Sequence, residues 1–113
     1  MLQRSYMKKF LFLIFISSFQ VNANVACEGV PDKVYAGAHG PHPSESSYWV
    51  VLEGSSQRYW LGSFNDDLAK ARFGMAQTAL VASKKLSLSF YSSNSCQEAA
   101  SNVARISAAY IKK

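Results

Sequence analysis

Apolar and polar positions change their period along the chain, and each change marks an element. Between residues 65 and 91 a helical period passes directly into a strand period. Leu68, Ala69, Ala71, Phe73, Met75, Ala76, Ala79, Leu80 and Ala82 cover a little over half of a helical wheel, with Lys70, Gly74, Gln77 and Thr78 on the remainder. Asp66 and Asp67 fall in the first turn, at the positive end of the helix dipole, and Ser63 or Asn65 is placed to cap it. Gly74 costs about 1 kcal/mol relative to alanine inside a helix, so a tight contact or a slight kink is expected there. Beyond Lys84 and Lys85, the residues Leu86, Leu88 and Phe90 alternate with Ser87, Ser89 and Tyr91, predicting a strand over 85–92 with the apolar set inward.

Upstream, Val34, Ala36 and Ala38 alternate with Tyr35 and Gly37, which predicts a strand over 33–38 after a lead-in at 28–32 containing Gly29 and Pro31. The run His39-Gly40-Pro41-His42-Pro43-Ser44 ends it in a turn or irregular loop. Tyr48, Trp49, Val50, Val51 and Leu52 then follow without a polar break. A strand over 47–53 is either buried on both faces or divides them, Trp49 and Val51 on one side, Tyr48, Val50 and Leu52 on the other. Gly54-Ser55-Ser56 turns the chain back into a strand over 57–63, making a β-hairpin. After a turn at 92–95, residues 97–100 read as one helical turn or an irregular link. A last strand over 102–111 has Ala104, Ile106, Ala108 and Tyr110 as its inward set.

The order β-β-β-α-β-β describes a mainly β chain with one helix. It is the order of a small OB-fold-like five-stranded barrel closed at one end by the helix, with a generic α+β sheet as the alternative.

The first 23 residues read as a cleaved signal peptide. Lys8 and Lys9 precede an apolar run over 10–16, and Val21 and Ala23 supply small residues ahead of a cleavage site, leaving a single domain over 24–113. The run is shorter than the ~20 apolar residues of a membrane span, so no stable membrane insertion is expected. Periplasmic or secreted localisation follows. Cys27 and Cys96 are the only cysteines; in an exported chain they read as a disulfide, with acylation of Cys27 as the rival. Loss of Arg4, Lys8 and Lys9 with the leader takes the net charge from +5 to +2. The basic residues that remain are scattered and trace no phosphate backbone, which argues against nucleic acid as a partner.

Cys27 and Gly29 ahead of the first strand, the alanine-rich helix over 71–82, the run Ser83-Lys84-Lys85-Leu86-Ser87-Leu88-Ser89-Phe90-Tyr91, and the following Ser95-Cys96 resemble small secreted bacterial OB-fold proteins related to the B subunits of A-B-type toxins. The resemblance implies glycan binding at the barrel surface and a ring-shaped homo-oligomer with helices at its centre. It assigns no glycan-contacting residue to this chain.

No constellation for catalysis is visible, so an enzyme and a cofactor are not expected. Adjacent helical residues such as Asp66 and Asp67 point about 100° apart and cannot face one another as an acid–base pair. His39 and His42 flank Pro41 with no further ligand beside them, so a metal site is not expected, although the loop is placed for ligand contact. Tyr48, Trp49, Tyr59 and Trp60 come together across the hairpin beside Arg58, with one of each aromatic pair expected outside the core. Arg72 lies within the apolar arc of the helix. These features point to a non-enzymatic module whose partner is a glycan, or alternatively a protein met in the periplasm as an inhibitor, immunity or accessory factor.

Overall fold

The computed structural model describes residues 24–38 and 46–113, so the expected leader at 1–23 and the loop carrying His39 and His42 lie outside the described residues. The described residues form β1 (Val25–Gly29), β2 (Pro31–Gly37), β3 (Ser47–Leu52), β4 (Arg58–Ser63), α1 (Asp67–Ala82), β5 (Lys85–Phe90), α2 (Cys96–Ser101) and β6 (Ile106–Lys112). The strands make two antiparallel three-stranded sheets, ordered β2-β3-β4 and β1-β5-β6. The mainly β expectation holds. The closed five-stranded barrel with one helix does not: among the described residues there are six strands and two helices, and β4 and β6, the outer strands of their sheets, share no hydrogen-bonded ladder.

The stretch over 28–32 that reads as a lead-in holds the end of β1 and the start of β2. Its Gly29 and the following Pro31 mark a change of sheet. Val30 alone separates β1 from β2, and its carbonyl accepts the Glu53 N–H at 2.8 Å. Pro31 opens β2, a strand position at which a missing N–H is tolerated. Through this joint the chain passes from pairing with β5 to pairing with β3.

Asp66, rather than Ser63 or Asn65, caps α1: its Oδ1 accepts the Leu68 N–H at 3.0 Å. Ser83 closes the helix in the left-handed region, where Lys84 N–H reaches the Ala79 carbonyl. The buried stripe is narrower than the wheel suggests. Ala69, Ala76 and Ala79 are fully buried with Phe73 partly so, whereas Leu68 and Val81 are 64% and 85% exposed. Gly74 faces open space, so neither a tight contact nor crowding accounts for it. The close approach comes at Gly62 of β4, where a Cβ would meet the Ala69 Cβ of α1.

The core is enclosed by the inner faces of both sheets and α1. Tyr48, Val50, Leu52, Tyr59 and Leu61 meet Leu86, Leu88, Phe90 and Ile106 there. Tyr59 packs on Phe90 with ring centroids 5.3 Å apart, and Tyr48 on Phe73 at 4.4 Å. The Cys27–Cys96 disulfide ties β1 to the first turn of α2, with Cα atoms 5.8 Å apart and a sequence separation of 69. A cysteine so engaged has no thiol to acylate, which removes the lipid-anchored alternative. Among the described residues no helix is long and apolar enough to cross a membrane.

The inward set of the last strand is also corrected. Ser89 pairs with Ala108 but Phe90 with Ile106, leaving Ser107 as an extra residue in β6. A bulge of one residue inverts the alternation beyond it. Ala104 and Ile106 pack inward as expected. Past the bulge it is Ala109 that reaches the core, and Ala108 and Tyr110 are exposed.

Candidate functional site

Strand parity builds a surface on the outer face of β2-β3-β4. In β3 the side chains of Tyr48, Val50 and Leu52 enter the core, so Trp49 and Val51 emerge on the opposite face. Register then sets their neighbours. Trp49 pairs with Tyr35 of β2 on one side and with Trp60 of β4 on the other. Val51 pairs with Lys33 and Arg58 in the same way. Two cross-strand rows result, one of three aromatics and one of an aliphatic between two cations, spanning about 10 Å across the strands and about 7 Å along them.

The centre of each row is floor. Trp49 is only 2% exposed, with its Nε1–H donating to the Gly37 carbonyl at 2.8 Å, and Val51 is buried too. The flanks reach outward: Tyr35 and Trp60 are half-buried, Lys33 and Arg58 exposed. Lys33 Nζ stands 5.8 Å from the centroid of the Tyr35 ring, within range of a cation–π contact. Lys33, Tyr35, Val51, Ser56 and Arg58 line a shallow cleft of about 470 Å³.

Electrostatically the face is positive. Among the described residues the ion pairs are Lys70 with Asp67 and Lys112 with Glu28, so neither Lys33 nor Arg58 is matched by a carboxylate there. Flat ring faces beside unmatched cations suit recognition of a ring with an apolar face and a negative or hydroxyl-rich edge. The described residues hold no group of three His, Cys, Asp or Glu side chains suited to a metal ion.

The hairpin aromatics therefore separate. Trp49, Trp60 and Arg58 belong to the outer face. Tyr48 stacks on Phe64 and Phe73, and Tyr59 packs on Phe90, so both are core residues with no part in the surface. Burial pushes the Tyr59 hydroxyl above its ordinary value of 10.0, although a hydrogen bond from Ser55 works against that shift. His39 and His42 fall outside the described residues. Sequence reasoning missed Tyr35 and Lys33. The available signal was parity: in the strand over 33–38 both sit on the positions opposite Val34, which packs against the core.

Compared with protein-family models, curated proteins and solved structures, the chain matches none.

Proposed function

We propose that this protein is an exported, non-enzymatic binding module that holds a glycan on the outer face of β2-β3-β4. The observation that carries the reading is the aromatic row Tyr35–Trp49–Trp60 lying beside the row Lys33–Val51–Arg58. Sugar rings stack on aromatic faces through their C–H edges, and arginine and lysine donate to hydroxyls and carboxylates. The disulfide between the only two cysteines supports an oxidising compartment, periplasmic or extracellular.

An opened OB-fold-like architecture is part of the same reading. β1 and β2 act as one strand bent at Val30, which gives the ladder β4-β3-β2/β1-β5-β6 with α1 inserted between β4 and β5. That layout supports kinship in form with toxin B subunits, and with it the glycan class of ligand.

A glycan array probed with the disulfide-linked protein, followed by tryptophan fluorescence titration of any hit, tests the proposal. Replacing Arg58 or Lys33 by alanine should weaken binding about tenfold, the loss of one charge-assisted hydrogen bond. An array without hits, together with fluorescence inert to added sugars, would remove the reading.

A protein partner is favoured instead by one observation, the exposure of Tyr110 and Ile111 on the outer strand β6. Stoichiometric recovery of a periplasmic protein, lost on Tyr110→Ser, would establish that second reading in place of the first.

A further inference from the structure

The seam where the sheets fail to join holds a second cleft. Its volume is about 230 Å³, and its walls come from β4, the start of α1 and the residues entering β6. Arg72 reaches into the seam from α1, and its Nη1–H donates to the Leu61 carbonyl of β4 at 3.1 Å. A guanidinium satisfies in this way a backbone acceptor on the outer strand, and it stands where a ladder to β6 would otherwise lie.

One bond leaves Arg72 with four of its five donors. Arg105, exposed, lines the same cleft, and neither arginine is ion-paired among the described residues. Two guanidinia beside one small cleft repel each other and attract an anion, and their planar forks match a carboxylate. The remaining walls are of another kind. Trp60, Leu68 and Ile106 supply apolar lining, and Asp66 has acceptor capacity left over after capping Leu68 N–H. A simple anion would use the arginines only. A ring that carries a carboxylate, hydroxyls and an apolar face would use all of them.

We propose that the seam cleft binds a single carboxylated sugar of the hexuronate type, its carboxylate on Arg72 and Arg105, its ring on Trp60 and a hydroxyl donating to Asp66. The cleft is smaller than the roughly 300–1,000 Å³ of pockets for drug-sized ligands, which suits one monosaccharide unit. This inference rests on the glycan reading above but concerns a separate set of residues, with Trp60 lining both surfaces.

The test is an NMR titration of the disulfide-linked protein with glucuronate, glucose and acetate, following the arginine Nε–H and tryptophan indole N–H signals. Glucuronate should shift the Arg72, Arg105 and Trp60 signals, with glucose silent and acetate at least tenfold weaker. Arg105→Gln, a change at an exposed position that leaves the core intact, should weaken glucuronate about tenfold. Lys33→Ala with Arg58→Ala should leave that affinity unchanged. Acetate as effective as glucuronate, no shift at the seam, or unaltered affinity in Arg105→Gln would each overturn the proposal. A shift confined to the Arg58 signal would overturn it as well while leaving the outer-face reading standing. Seam binding beside an empty glycan array would sink the outer-face reading alone.

Discussion

Gly62 of β4 and Ala69 of α1 touch so closely that a Cβ added to the glycine would lie 2.5 Å from that of the alanine. The contact seats the start of the helix against β4, and it sits beside the seam cleft. Overpacking costs about 1–3 kcal/mol, and a side chain held in a backbone region reserved for glycine costs about as much. With φ at 132°, Gly62 incurs both on substitution. Gly62→Ala should therefore destabilise by roughly 3 kcal/mol in urea unfolding. A loss below about 1 kcal/mol would mean that α1 shifts freely on the sheet.

Gly74 predicts the opposite sign. It lies inside α1 with nothing within 4 Å of an added Cβ, and its φ is not in the left-handed region. Gly74→Ala should stabilise by about 0.5–1 kcal/mol, the propensity difference alone. A destabilised variant would reveal a contact at that face.

The disulfide closes a loop of 69 residues. On the chain-entropy model this is worth about 4 kcal/mol. In a domain of this size, reduction or the double change Cys27→Ser with Cys96→Ser should lower Tm by roughly 20 °C. Calorimetry with and without reductant checks it, and an unchanged Tm would show the bridge to be dispensable.

Acid should weaken the pairing of β6 with the rest of its sheet. Lys112 Nζ lies 3.1 and 3.2 Å from the two carboxylate oxygens of Glu28, and that hydrogen-bonded cation holds the carboxyl below its ordinary 4.5. A carboxyl depressed in the folded state stabilises above the unfolded value, and the benefit disappears as pH falls through the folded one. Stability should drop below pH 4.5, with a shallower acid limb in Lys112→Gln. Both partners are partly exposed, Lys112 at 42% and Glu28 at 34%, so solvent screening keeps the effect small. Identical acid limbs in the two proteins would remove Glu28 from the account.

Alkali should act on the core. Tyr59 resists ionisation in the folded protein because burial disfavours the phenolate, so the unfolded chain loses its proton first. Stability is full below the ordinary value of 10.0 and declines as pH rises toward the folded value. Tyr59→Phe should flatten that decline, measured by urea unfolding between neutral and strongly alkaline pH.

The two clefts differ in what sequence could disclose. The outer face was half legible: Trp49, Trp60 and Arg58 follow from the hairpin, and Lys33 and Tyr35 from the outward parity of β2, once β2 and β3 are known to be neighbours. The seam was not legible. Arg72 and Arg105 stand far apart in sequence, and only the packing of α1 and β6 against β4 brings them to one cleft.

Local chemistry was enough to predict α1, β5 and the hairpin β3/β4, and it offered the split of Tyr48 from Trp49 and the pairing of the cysteines each as one of two readings. Each depends on a side-chain period, a turn or a count that a short stretch carries by itself. Tertiary structure alone decided that Gly29 and Pro31 bend a strand between sheets, that Ser107 bulges and sends Tyr110 outward, and that the barrel stays open. Those outcomes depend on which strand lies alongside, and on Arg72 taking the Leu61 carbonyl at the edge of β4. Hydrogen-bond pairing between distant strands is a property of their mutual packing, so no period within one strand can encode it.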